Sequence, residues 1–90
     1  MSENQTGLYP QNFLYKIIFY KPMFDPGVFL SKLTEAELDF DSAYSVKECS
    51  DDKYITLTVK VFLKNEFSAD LIDKLICGTE GVINYFSMTG

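Results

Sequence analysis

Histidine, arginine and tryptophan are absent from this 90-residue chain, and cysteine occurs only twice. Without histidine there is no Ser-His-Asp triad and no imidazole ligand for a metal. Without arginine there is no guanidinium fork to clamp a phosphate. Cys49 and Cys77 lie far apart, in neither a CxxC pair nor a dense framework. A reduced chain is expected, with both thiols acting as small buried apolar groups. No apolar run approaches the roughly 18 residues that a membrane helix needs, and residues 1–7 are polar with no apolar leader core. These absences lead us to expect a soluble, cytoplasmic protein that needs no cofactor.

Positive charge is also scarce. Eight lysines face 13 acids, for a net charge of −5 and a pI near 4.5. Nucleic acid binding rests on clustered Lys and Arg that displace counterions, and eight scattered lysines make no such cluster. Glu35, Glu37, Asp39, Asp41, Glu48, Asp51 and Asp52 crowd into 35–52 against Lys47 alone. They lack the spacing of a calcium loop, so the expected role of this charge is to protect a sheet edge.

What is present is apolar and aromatic: 47% hydrophobic residues, 16% aromatic. That composition indicates a globular chain. One domain over 9–90 is expected, preceded by a mobile tail over 1–8. Phe13 to Tyr20 reads as a strand with Phe13, Tyr15, Ile17 and Phe19 on its buried face. Asp25-Pro26 then opens a helix over 26–37, with Asp as cap and Pro in the first turn, and with Phe29, Leu33 and Ala36 as its apolar stripe. Residues 43–49 alternate weakly, as an edge strand would, and 50–53 form a turn. Ile55, Leu57, Val59, Val61 and Leu63 alternate strictly with Tyr54, Thr56, Thr58, Lys60 and Phe62, the clearest strand in the chain. A second helix is expected with Ser68 as its cap, Leu71, Ile72, Leu75 and Ile76 as its apolar face, and Gly78 as its left-handed end. Residues 82–88 make a last strand.

The order β-α-β-β-α-β with short links predicts an α+β, ferredoxin-like sandwich. It has a four-stranded antiparallel sheet of order 4-1-3-2 and both helices on one face. Other chemistries of this architecture are excluded by residue type. The third strand lacks the glycine and aromatic pattern of an RNA-recognition motif. An acylphosphatase needs an arginine cradle, and a heavy-metal chaperone needs CxxC.

Phe24-Asp25-Pro26-Gly27-Val28-Phe29-Leu30, placed after a first strand, resembles the strand-to-helix segment of ACT domains, small regulatory modules with the same element order. The resemblance implies an amino-acid ligand touching Asp25 and Gly27, at an interface between two modules. From Tyr9 to Met88 the chain also resembles the YbeD-like family of small bacterial proteins. The likeness is carried by Tyr9-Pro10, by Phe13-x-Tyr15-Lys16-Ile17, and by Ser50-Asp51-Asp52-Lys53-Tyr54 leading into Ile55-x-Leu57-x-Val59. The chain departs from that family at Asp51-Asp52 and in the extra Pro22-Met23-Phe24 before the helix. This likeness implies an ACT-like fold in the bacterial cytoplasm and, since no activity is established for the family, no catalytic residues.

Two functions are therefore expected from different classes. One is a non-catalytic regulatory or protein-interaction module that meets another protein or a second copy of itself as a homodimer, not a nucleic acid or a membrane. Its contact face is expected to hold Ile18, Tyr20, Thr56, Thr58 and Phe62, unless Tyr9-Pro10 or the tail folds over them. The other is an amino-acid sensor at Asp25 and Gly27. No metal site is expected in either.

Overall fold

The computed structural model describes residues 9–48 and 52–89. Strand β1 (Gln11–Tyr20) buries Tyr15, Ile17 and Phe19, so the period-two pattern of its sequence is the pattern of its packing. A single 3-10 turn, Lys21–Met23, reverses the chain into helix α1 (Pro26–Glu35). The Asp25 carboxylate accepts the N–H of Val28 (3.2 Å) and Pro26 takes the first helical position, as their cap chemistry dictates. Helix α1 ends at Glu35, two residues short of the expected 37. Glu37, at φ 61°, adopts the left-handed conformation that closes such ends, letting Glu37 N–H reach Thr34 O and Leu38 N–H reach Leu33 O (both 3.0 Å). Leu38 is thereby turned into the core although acids flank it.

The expected second strand over 43–49 is present as the shorter Ser45–Glu48, and a two-residue strand that was not expected, Asp39–Phe40, precedes it. β2 (Asp39–Phe40) and β3 (Ser45–Glu48) both pair with β4 (Tyr54–Leu63) along the same edge. Asp41 N–H still donates to Lys60 O (2.8 Å), but the Asp41 side chain accepts the N–H of Ala43 (2.9 Å). That local bond draws the backbone away from the ladder and cuts the strand. The sheet is accordingly five-stranded and antiparallel, with path β2-β4-β1-β5 and β3 beside β2 on β4, not the four-stranded sheet expected.

Helix α2 (Glu66–Cys77) begins earlier than Ser68. Asn65 is its cap, accepting from Ser68 N–H (3.0 Å) and from the Ser68 hydroxyl (3.2 Å). Gly78 sits at φ −88°, outside the left-handed region, so the expected helix end is corrected. The glycine that needs its freedom is Gly81. It stands at φ +91°, and a Cβ there would come within 2.8 Å of Met23 Cβ. Gly81 O accepts from Tyr20 N–H (2.7 Å), which docks the start of β5 (Val82–Thr89) onto the end of β1.

Both helices cover one face of the sheet. Phe29, Leu33, Ile72 and Ile76 pack with the buried residues of β1 and β4 into one core. The other face carries the alternate residues. Among the described residues no helix is long and apolar enough to cross a membrane.

Candidate functional site

Two regions hold the residues singled out from the sequence. The first is a cleft of about 540 Å³ at the start of α1, lined by Phe19, Met23, Asp25, Lys32 and Thr79 among others. The Lys32 ammonium donates to the Thr79 hydroxyl (3.4 Å), which donates to Leu75 O (2.7 Å). One Asp25 oxygen is held by Val28 N–H, and the second has no hydrogen-bond partner among the described residues. Gly27 does not share this cleft. It lies with Leu30, Ser31 and Thr34, and a Cβ added to it would meet only Asp25 Oδ1, at 3.5 Å. Asp25 lines the cleft and Gly27 a neighbouring depression, while Asp25 Oδ1 stays in contact range of position 27, and nothing close-packed requires glycine there.

The second region is the sheet face turned away from the helices. Pair registers align Thr56 with Ile18 and Asn84, Thr58 with Lys16 and Phe86, and Lys60 with Leu14 and Met88. Ile18, Thr56 and Thr58 are thus neighbours, as expected. Tyr20 lies opposite Tyr54 at one end, whereas Phe62 lies opposite Asn12 and Asp39 at the other. Eight ladder positions separate them, roughly 26 Å at about 3.3 Å per residue, so they share the face but form no joint cluster. Sequence reasoning missed Phe86 and Met88, which are 48% and 43% exposed on this face. The register of β5 against β1 places them here, and no period-two argument on β5 alone could have.

Tyr9 does not cover the face. Its ring packs on Phe13 (5.8 Å between centroids), on the helix side of the sheet. The cap over 1–8 and the turn residues 49–51, Cys49 included, lie outside the described residues. Cys77 is exposed, not a buried apolar group as expected. Its Sγ lies 3.9 Å from the Tyr85 hydroxyl, which donates to Asp73 Oδ1 (3.3 Å). Burial first, then the Cys77 contact and the Asp73 charge, push the Tyr85 phenol up to about 12. Tyr15 is also pushed up to about 12, by burial and then by Asp73 and Tyr9, against a hydrogen bond with Ser87.

Two acids of the stretch, Glu48 and Asp52, are held at the sheet edge. Lys21 bonds Glu48 (3.0 Å) and Asp52 (2.6 Å), pinning the end of β1 to the β3–β4 hairpin. The Lys21 ammonium holds the Asp52 carboxyl below the usual carboxylate range, and Asp52 and Glu48 in turn raise Lys21. Among the described residues no three Cys, Asp or Glu side chains converge as metal ligands would.

No family model and no curated protein matches this sequence. The fold itself has a solved counterpart. The solution structure of the C-terminal domain of the MgtC protein from Mycobacterium tuberculosis is similar, with a TM-score of 0.65 over 89% of this chain and 87% of that one. The two sequences are 15% identical, so the likeness speaks for the fold.

Proposed function

We propose that this chain is a non-catalytic protein-interaction module of the ferredoxin-like, ACT-like type, acting in the cytoplasm, whose open sheet face takes an apolar segment flanked by acids on a partner protein. The reading is supported by treating β2 and β3, which share one edge of β4, as a single interrupted edge strand. The observation that carries the reading is the make-up of the face. Leu14, Ile18, Phe86 and Met88 surround Lys16 and stand beside Lys60, and neither lysine enters an ion pair among the described residues. Apolar patches with aromatics and Met are what contact surfaces are made of, and unpaired lysines select an acidic partner. Among the described residues the neighbouring polar groups on this face are Thr56, Thr58 and Asn84. The test is an NMR titration with acidic amphipathic peptides selected by display. Shifts should map to Leu14, Ile18, Phe86 and Met88 and vanish in Lys16→Glu; shifts confined to the helices would sink the reading.

A second reading is favoured by the cleft at α1, where Asp25 and Lys32 bring opposite charges to one cavity of about 540 Å³. That pairing suits a zwitterion, with its ammonium on Asp25 and its carboxylate on Lys32. An amino-acid panel at millimolar concentration should then raise the melting temperature of the wild type but not of Lys32→Met. A panel that shifts neither protein sets the cleft aside.

A further inference from the structure

Among the described residues, the outer edge of β5 differs from the opposite edge of the sheet. Residues Val82–Thr89 contain no charge, no proline and no glycine, in a chain of net charge −5. Long uncharged edges of this kind template pairing with another strand, and the usual protections are charge, proline or a bulge. The opposite edge has them: it is broken into β2 and β3 and carries Asp39, Asp41, Lys47 and Glu48. On β5 the register shift at Ile83 affects only the start of the strand and leaves 84–89 regular.

Backbone directions follow from the hydrogen bonds. Tyr20 N–H points to Gly81 O on the β5 side, and Lys21 N–H points to Lys53 O on the β4 side. Even-numbered residues of β1 therefore face β5, and the register turns Asn84, Phe86 and Met88 inward to the ladder. Tyr85, Ser87 and Thr89 are left with N–H and C=O directed outward. The N–H of Tyr85 is met by the Asn84 side chain (2.9 Å), as an outward donor at an edge would be.

We infer that β5 pairs antiparallel with β5 of a second copy, about a two-fold axis at Ser87, joining two sheets into one. In this register Ser87 faces its own symmetry mate, and Tyr85 and Thr89 of each copy face Thr89 and Tyr85 of the other. The three pairs form six backbone hydrogen bonds, with Thr89 C=O taking over the Tyr85 N–H from Asn84. On the open face the same register sets Phe86 of each copy against Met88 of the other. These two residues are exposed in the single chain, and thioether against ring is a favourable pairing. The occupant is a second copy because the strand is self-complementary in this register and has no charge to repel itself. Pairing through the opposite edge would set acid against acid. The inference rests on the backbone of β5 and not on which segment the sheet face takes.

Sedimentation of the purified chain tests it without any peptide, so its failure is separate from failure of the face reading. The wild type should sediment near twice 10.3 kDa at submillimolar concentration, and salt should leave the dimer in place because the strand is uncharged. Ser87→Pro removes an outward N–H that β1 does not use, so this variant should stay folded and become a monomer. Ser87→Ala keeps that N–H and should stay dimeric, which separates the backbone bond from the hydroxyl. Should Ser87→Pro fail to fold, Met88→Lys decides by the same readout, with a folded monomer expected. In the wild type, hydrogen exchange at Tyr85, Ser87 and Thr89 should slow as concentration rises. A monomeric wild type overturns the inference, and so does a dimer that persists in folded Ser87→Pro or, where that variant fails to fold, in Met88→Lys.

Discussion

The two central strands, β1 and β4, contribute to both faces of the sheet, yet the two faces differ sharply in burial. On the helix side Tyr15, Ile17, Phe19, Ile55, Leu57, Val59, Val61 and Leu63 are all buried. On the other side their immediate neighbours Leu14, Lys16, Ile18, Thr56, Thr58 and Lys60 stay half-buried or exposed. The backbone, register and twist are shared, so the difference lies in side chains and in what covers them. A face that is apolar without interruption secures the fold. A face where lysine and threonine interrupt the apolar residues stays in part open to water.

That comparison can be broken most severely at Val59. Aspartate there would put an unpaired charge in the centre of the core, and Val59→Asp should lose about 4 kcal/mol or more, read as an unfolded circular dichroism spectrum. Leu57→Ala leaves a cavity beneath both helices and should lose about 3 kcal/mol in urea titration. A third test uses pH. The Tyr15 phenol is pushed up to about 12 by burial, while the unfolded chain releases that proton near 10. The stability held by the neutral phenol is therefore whole below pH 10 and is lost as pH climbs from 10 through 12, at most roughly 2 kcal/mol. Tyr15→Phe should flatten that alkaline decline; a variant that declines as steeply as the wild type would place the burden elsewhere. The smallest effect belongs to Thr58→Ala, adjacent to Leu57 but on the open face, at about 0.5 kcal/mol or less. Equal losses for Leu57→Ala and Thr58→Ala would abolish the distinction between the faces.

How legible this was depended on whether the deciding physics is local. The faces of β1 and β4 could be read because burial repeats every second residue over ten residues. Asp25 could be read as a cap because its bond to Val28 spans three residues. The start of α2 was misplaced because Asn65 and Ser68 are both good caps, and Phe67, 73% exposed, gives the first turn no apolar stripe. The split of the edge strand hinges on one side-chain bond from Ala43 to Asp41, which composition does not reveal. Gly78 and Gly81 look alike in sequence, and only the approach of Met23, nearly sixty residues away, singles out Gly81. The candidate sites follow the same rule. Ile18, Thr56 and Thr58 share a face by alternation, but Phe86 and Met88 join them only through pairing between the two ends of the chain.

β1 lies at the centre of the sheet and belongs to the first residues of the fold, yet its partners β4 and β5 come last but one and last among the strands. At about 5–20 residues added per second, a nascent chain waits roughly two to nine seconds between completing β1 and completing β4. Throughout that interval Phe13, Tyr15, Ile17 and Phe19 have no strand to pair with, and of the two helices α1 alone can lie over them. α1 can coil in microseconds, but the sheet has no local start at its centre, since closing it means joining distant segments. Pairing at the centre of the sheet therefore comes only after the chain has been supplied as far as the end of β4.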